Sequence, residues 1–262
     1  MKKILFLLVA SLLTVTSVGC SGGSKEAGGQ AAANTLEKIK QRGNLTMAMG
    51  GKYPPFNYKN KQNELDGFDM DIAKEIAKRL GVEAKAVTTE WDGIIAGLLT
   101  SKYDIILGSM AITEERKQKV DFVHYYTSGA SIVAPSDSPA KGPEDLKGVT
   151  VGVGMGTTYE KKAREFGADV KTYATSVDAF TDMVNGRVQA VITDKLIASN
   201  NIKEKNLPFK LVGEPLYEEK CGIAIRKDDP ELKAAIEKAL EDMRQDGTYT
   251  TISEKWFGMD IR

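Results

Sequence analysis

Two hydrophobic periods take turns along this chain. Short apolar runs at strand spacing occur at Leu45–Met49, Glu83–Thr88, Asp104–Leu107, Ala130–Pro135, Thr150–Val153, Asp169–Tyr173, Val188–Thr193 and Cys221–Arg226. Between them lie stretches with apolar residues three and four apart. Residues 67–80 place Ile72, Ala73, Ile76, Ala77 and Leu80 on one helical face, and Gly81 ends the run. Residues 229–245 do the same with Leu232, Ala235, Ile236, Ala239, Leu240 and Met243. Shorter helices are predicted over Asn34–Gln41, Trp91–Leu99 and Val177–Asn185, with a last one reaching Trp256 after the break at Asp246-Gly247-Thr248. Alternating strands and helices predict an α/β fold with a mostly parallel sheet. In such sheets ligands bind beyond the carboxyl ends of the strands. Tyr53, Trp91 and Ser109 each follow a predicted strand, which puts all three on one rim.

Composition narrows the chemistry. The chain has 262 residues, 42% hydrophobic and 27% charged, enough for two globular units. Its formal charge is +0, with no long basic run, so nucleic acid is not an expected partner. A single histidine, His124, leaves almost no material for histidine metal clusters or a Ser-His-Asp triad. No cofactor or metal is expected.

The first residues read as a targeting segment: Lys2 and Lys3, then the apolar stretch Ile4–Val18, too short and too polar for a comfortable membrane span. It ends Ser17-Val18-Gly19-Cys20 and resembles a bacterial lipoprotein signal, with Ser17 where Leu is usual. Residues 1–19 are then a signal peptide and Cys20 the lipidated first residue of the mature chain. An ordinary cleaved signal peptide is the alternative. The Gly/Ser/Ala-rich residues 21–33 suit a flexible tether. Cys221 sits in an apolar run and is expected to be a buried, inert thiol without a disulfide partner.

The stretch Asp104-Ile-Ile-Leu-Gly-Ser-Met-Ala-Ile-Thr-Glu-Glu-Arg116 carries the clearest chemistry. It reads as a buried strand, a Gly-Ser turn, a capping Thr113 and then Arg116. Exposed N–H groups and a guanidinium converging at a strand end suit a carboxylate. A surface helix with an exposed Arg is the plainer reading of this stretch taken alone. In the loop Gly50–Phe56, Phe56 is expected in the core and Tyr53 facing a ligand. Asp69 and Asp71 sit in the first turn of the 67–80 helix and are read as structural. The run Gly152-Val-Gly-Met-Gly-Thr157-Thr158 lacks the Lys-Thr of a phosphate loop and suits a second anion-receiving helix start instead. Finally, residues 95–109 and 180–194 share one pattern at an offset of 85, which makes Ser109 and Asp194 counterparts in two similar lobes.

These marks together resemble the family 3 bacterial extracellular solute-binding proteins over about Leu36–Asp260. They are Tyr-Pro-Pro-Phe at 53–56, Gly-Phe-Asp-Met-Asp-Ile at 67–72, Glu-Trp-Asp-Gly at 90–93 and Ile-Thr-Glu-Glu-Arg at 112–116. Gly-Thr-Thr at 156–158, Thr-Asp at 193–194 and Glu-Lys-Trp-Phe-Gly at 254–258 complete them. The 151–160 run and the Trp-Phe-Gly ending look most like the cystine-binding branch. The resemblance implies a periplasmic-binding-protein-like fold of type II, two doubly wound lobes joined by a two-strand hinge. Lobe one would be 34–130 with 217–262, and lobe two 131–216. It also implies a non-enzymatic receptor that closes over a polar amino acid and hands it to the permease subunits of an ABC importer. A monomer held extracytoplasmically on the cell membrane by its lipid, or periplasmic if the host has an outer membrane, is expected. Carried over by position, Arg116 grips the α-carboxylate with backbone N–H groups near Ala111 and Thr158, beside Thr157. Asp194 takes the α-ammonium with Ser109 beside it, and Tyr53 and Trp91 flank the side chain. An acid common near position 50 in basic-amino-acid members is absent here. Glu90, where the cystine branch tends to have Lys, either serves a distal ammonium or is solvated. The expected ligand order is cystine, glutamine, then basic amino acids. The rivals are an enzyme on the same fold, resembling cyclohexadienyl dehydratase, and a sensor module.

Overall fold

Two long antiparallel strands run through the middle of the molecule and set its plan. The computed structural model describes residues 34–262, so the signal segment, Cys20 and the tether lie outside the described residues. The N-terminal part runs α1 (Thr35–Arg42), β1 (Asn44–Met49), β2 (Lys52–Tyr53), β3 (Asn57–Lys59), β4 (Leu65–Asp66), α2 (Phe68–Leu80) and β5 (Glu83–Thr88). A 3-10 turn (Trp91–Gly93), α3 (Ile94–Leu99), β6 (Ile105–Ala111) and α4 (Glu114–Lys117) follow. The first long strand, β7 (Asp121–Pro135), leads into β8 (Thr150–Gly154), α5 (Thr158–Glu165), β9 (Asp169–Tyr173), α6 (Ser176–Val184), β10 (Ala190–Asp194) and α7 (Lys195–Glu204). The second, β11 (Phe209–Ile225), returns to α8 (Pro230–Gln245) and α9 (Thr248–Phe257).

The main sheet has eight strands in the order β5-β1-β6-β11-β7-β10-β8-β9. The order is palindromic in kind. At one end β5, β1 and β6 are parallel; at the other β10, β8 and β9 are parallel; β7 and β11 pair antiparallel between them. The strand β6 borders the Cys221–Ala224 part of β11, whereas β10 borders the Ala130–Val133 part of β7. Each half therefore hangs on a different stretch of the same two strands. This arrangement is the α/β periplasmic-binding-protein-like plan. The small antiparallel sheet β2-β3-β4 folds beside the N-terminal half.

Local chemistry explains the helices. In α1, Asn34 and Glu37 form a reciprocal capping box, and Gly43 closes the end in the left-handed conformation. In α2, the apolar face buries Phe68, Met70, Ile72, Ala73, Ile76 and Ala77. It packs on β1, β5 and β6 and against α8 and α9. Each large side chain among these contributes roughly 1.5–3 kcal/mol by leaving water. The Phe56 ring is fully buried among Phe68, Tyr126 and Phe257, as expected for a core residue. Cys221 is a buried free thiol, and burial pushes its pKa up, which fits an inert role.

Three expectations need correction. No turn falls at Gly108-Ser109: β6 continues through both to Ala111, with Ser109 held at a φ of 59°. The strands expected over Ala130–Pro135 and Cys221–Arg226 are only the ends of β7 and β11, which extend by pairing with each other from Asp121↔Ile225 to Phe209↔Pro135. The helix expected at Trp91–Leu99 is split, a 3-10 turn followed by α3.

Candidate functional site

The strand ends of the two halves enclose one cleft of roughly 610 Å³, part of it open to solvent. Its wall on the N-terminal side is built at the end of β6. Thr113 caps α4 by accepting the Arg116 N–H, and so fixes the start of the four-residue helix that carries the guanidinium. Arg116 donates through Nη1 to the carbonyl of Ala111 at 2.8 Å and through Nη2 to that of Gly156 at 3.3 Å. Its guanidinium lies 5.4 Å from the Trp91 ring centroid, a cation–π distance. Burial pushes its pKa down from the ordinary value, with the nearby Glu219 carboxylate opposing. Among the described residues Arg116 has no carboxylate within 4 Å.

Ser109 is held from below. Its Oγ donates to Asp69 Oδ2 at 3.2 Å, and its N–H donates to the Tyr125 hydroxyl at 2.8 Å. Asp69 is fully buried and also accepts from Asn57 Nδ2 and the Tyr125 hydroxyl. Burial lifts its pKa to about 6 against these hydrogen bonds. Asp69 is thus a support under the site, in line with the structural role expected of it. Tyr53 lines the cleft, stacks on Phe56, and reaches Thr193 Oγ1 with its hydroxyl at 3.5 Å.

The opposite wall begins where β8 ends. Thr157 caps α5, accepting from the Glu160 N–H and donating to the carbonyl of Gly154, so its hydroxyl is already engaged. Thr158 Oγ1 donates to Glu219 Oε1 at 2.6 Å, and the Tyr159 hydroxyl donates to Oε2 at 2.6 Å. Asp194 closes β10 and caps α7. Its Oδ1 accepts from the N–H groups of Leu196 and Ile197 and from the Ser128 hydroxyl. Its Oδ2 is buried and has no hydrogen-bond partner. Burial raises its pKa to about 7. An unpartnered buried carboxylate oxygen is costly, and a cation placed there would offset the cost.

Of the eight residues singled out for a ligand, Tyr53, Trp91, Ser109, Ala111, Arg116, Thr157 and Thr158 line this one cleft. Asp194 is not in the wall; it lies behind it at 1% exposure. Its counterpart relation to Ser109 is visible in the sheet, since β6 and β10 occupy matching places either side of the long pair. Glu90 is exposed and outside the lining, which leaves the solvated reading of it standing. The sequence reading missed Glu219 and Ser176, which line the cleft, and Ser128, which holds Asp194. Glu219 had one signal: it sits two residues before the apolar Cys221, and strand spacing puts both on one face.

The fold and this cleft define a ligand-binding protein of the periplasmic-binding type. The chain belongs to the bacterial extracellular solute-binding proteins, family 3, whose sequence model matches residues 45–259. It is 38% identical over 231 residues to the L-cystine-binding protein TcyJ of Escherichia coli (strain K12), covering 86% of this chain and 87% of that one. Among solved structures it is similar to the ancestral amino acid-binding protein AncCDT-1, a precursor of cyclohexadienyl dehydratase. That match has 42% identity and a TM-score of 0.81, covering 85% of this chain and 99% of that one. An ancestral arginine-binding protein bound to arginine matches at 43% identity and a TM-score of 0.79, over 83% and 99% of the two chains.

Proposed function

We propose that this protein is the binding receptor of an amino-acid ABC importer, closing over a polar L-amino acid and delivering it to the permease. The observation that carries this reading is the pairing of an unneutralised guanidinium with a buried acid that has one open oxygen. A zwitterion carries one charge to match each. Arg116 takes the α-carboxylate through its planar fork. Asp194 Oδ2 takes the α-ammonium. Ser109 and the N–H groups near Ala111 and Thr158 complete the head-group contacts, and Tyr53 and Trp91 flank the side chain.

In this reading residues 34–130 and 217–262 form one lobe, 131–216 the other, and the middle of β7 and β11 is the hinge. The protein works as a monomer and catalyses nothing. An enzyme of the dehydratase kind needs a poised acid and has no need of a matched guanidinium and carboxylate for an amino-acid head group. Cystine is the first candidate ligand, supported by the likeness to a cystine-binding relative; glutamine and basic amino acids follow. A lipid on Cys20 would hold the receptor at the outer face of the cell membrane.

The test is a melting-temperature panel of the purified chain with the common L-amino acids and L-cystine. A rise with one or a few polar amino acids is expected; no rise with any of them sinks the receptor reading. For the anchor, Cys20→Ser should release the protein from membranes, and an unchanged membrane-bound fraction would disprove lipidation.

A further inference from the structure

Glu219 has no part in the head-group scheme, yet it is a carboxylate set into the wall of the cleft at 5% exposure. It lies in the crossing stretch of β11, directly opposite Ser128 of β7. Residues opposite one another in an antiparallel pair point to the same face. Ser128 donates to Asp194, so the acid in the wall and the acid behind it are close, and each feels the other's charge. Three hydroxyls converge on Glu219: Thr158 and Tyr217 on Oε1, at 2.6 and 3.4 Å, and Tyr159 on Oε2 at 2.6 Å. The two short bonds have the length of hydroxyl donation into a charged carboxylate. Among the described residues no Lys or Arg lies within 4 Å of it, and Arg116 feels its charge from farther off.

The charges can be counted. A zwitterion neutralises Arg116 with its carboxylate and Asp194 with its ammonium. Glu219 is left over, a buried carboxylate whose hydrogen bonds all come from neutral hydroxyl donors. Lys52 also touches the cleft, but it is solvent-exposed and its charge is screened. The geometry points to Glu219 as a specificity-determining residue: its surplus negative charge excludes amino acids of net negative charge and leaves neutral and cationic ones admissible. Discrimination here comes from repulsion built against the wrong ligand rather than from a contact with the right one. The inference rests on the receptor reading above and narrows its ligand class.

The test uses the full chain and titrates L-glutamate against the tightest neutral ligand of the panel by calorimetry. Wild type should bind glutamate at least about tenfold more weakly than that neutral ligand. The substitution Glu219→Gln keeps the shape and removes the charge, and should raise the affinity for glutamate relative to the neutral ligand by about tenfold. Tyr159→Phe removes one hydroxyl from Glu219 and keeps its charge, so it should leave the ratio in place while weakening both ligands. Wild type that binds glutamate as tightly as the neutral ligand overturns the proposal without any variant. So does a Glu219→Gln protein of wild-type melting temperature whose ratio is unchanged. A panel in which no amino acid binds at all fails the receptor reading instead, so the two failures are distinct.

Discussion

Arg116 Nη2 donates to the carbonyl oxygen of Gly156 at 3.3 Å, joining the end of β6 in the N-terminal half to the loop after β8 in the other. Trp91 Nε1 reaches the same oxygen at 3.4 Å. Gly156 holds a φ of 71°, a conformation that glycine adopts without steric cost, and this aims its carbonyl at both donors. The guanidinium proposed to hold the ligand is therefore also a strap across the cleft. Arg116→Ala should lose both roles and weaken binding by about 3 kcal/mol, more than a hundredfold. Arg116→Lys keeps the charge but loses the fork, and should retain only a small part of the affinity. Trp91→Phe removes one donor and keeps the ring over Arg116. Its effect should be a severalfold faster ligand dissociation with little change in association, read by stopped-flow fluorescence.

Asp194 gives the protein a pH signature. Its folded-state pKa of about 7 lies above the ordinary 3.8 because burial disfavours the charge. Without ligand, the protonated acid stabilises the fold. That contribution is complete below about pH 4 and is lost as pH rises through 7. Asp69, raised to about 6 by burial, acts in the same direction. A bound ammonium reverses the preference at Asp194 by favouring its carboxylate. Affinity should therefore fall as pH drops from 8 to 6, and the melting-temperature gain from ligand should shrink with it. Asp194→Asn should bind poorly at every pH. A wild-type affinity flat between pH 6 and 8 would remove Asp194 from the ammonium site.

The parts of this fold that could be read in the sequence are those whose causes are local. The stripe of α2, four buried residues and the half-buried Leu80, and the Thr113 cap that set Arg116, are all explained within a few positions. The long strands were not legible. In β11 the run Gly213-Glu-Pro-Leu-Tyr-Glu-Glu-Lys220 has the composition of a loop. It is strand because β7 lies alongside, with the register shifting between Val212 and Tyr217 where Pro215 would interrupt the ladder. Glu219 was hidden for the same reason, since Thr158 and Tyr159 come from some sixty residues away. The cap that starts the helix of Arg116 could be read from its neighbours, whereas the place of Glu219 required the topology.

Asp69 supports Ser109 from beneath, and its removal should damage stability before it damages chemistry. Asp69→Ala would leave the buried Asn57 Nδ2 and Tyr125 hydroxyl and the half-buried Ser109 hydroxyl without their acceptor. A loss of about 2–4 kcal/mol is expected in urea denaturation. Asp69→Asn keeps an acceptor oxygen and should cost less. It should also flatten the ligand-free decline in stability between pH 5 and 7, because it removes one of the two acids responsible. If Asp69→Ala unfolds at the wild-type urea midpoint, the support role is wrong.

Gly67 is the position on which that support depends. It starts α2 at a φ of 120°, in a region that side-chain-bearing residues rarely enter. A Cβ added there would lie 2.3 Å from the carbonyl oxygen of Phe56 and 2.8 Å from that of Pro55. Both are backbone atoms and cannot turn aside. The same two carbonyls accept the N–H groups of Asp69 and Phe68, at 2.8 and 3.0 Å. The clash therefore falls on the bonds that seat the first turn of α2 and aim Asp69 at Ser109. Gly67→Ala should cost about 3 kcal/mol or more, since it adds steric overlap to backbone strain. The damage should reach the site as well. Ligand affinity measured well below the variant's melting temperature should drop, whereas Gly81→Ala should leave it intact. Gly81 is also left-handed, at a φ of 74°, but has open space around its Cβ position and closes the far end of the helix. A Gly67→Ala protein with wild-type stability would mean that the turn into α2 can be rebuilt without these contacts.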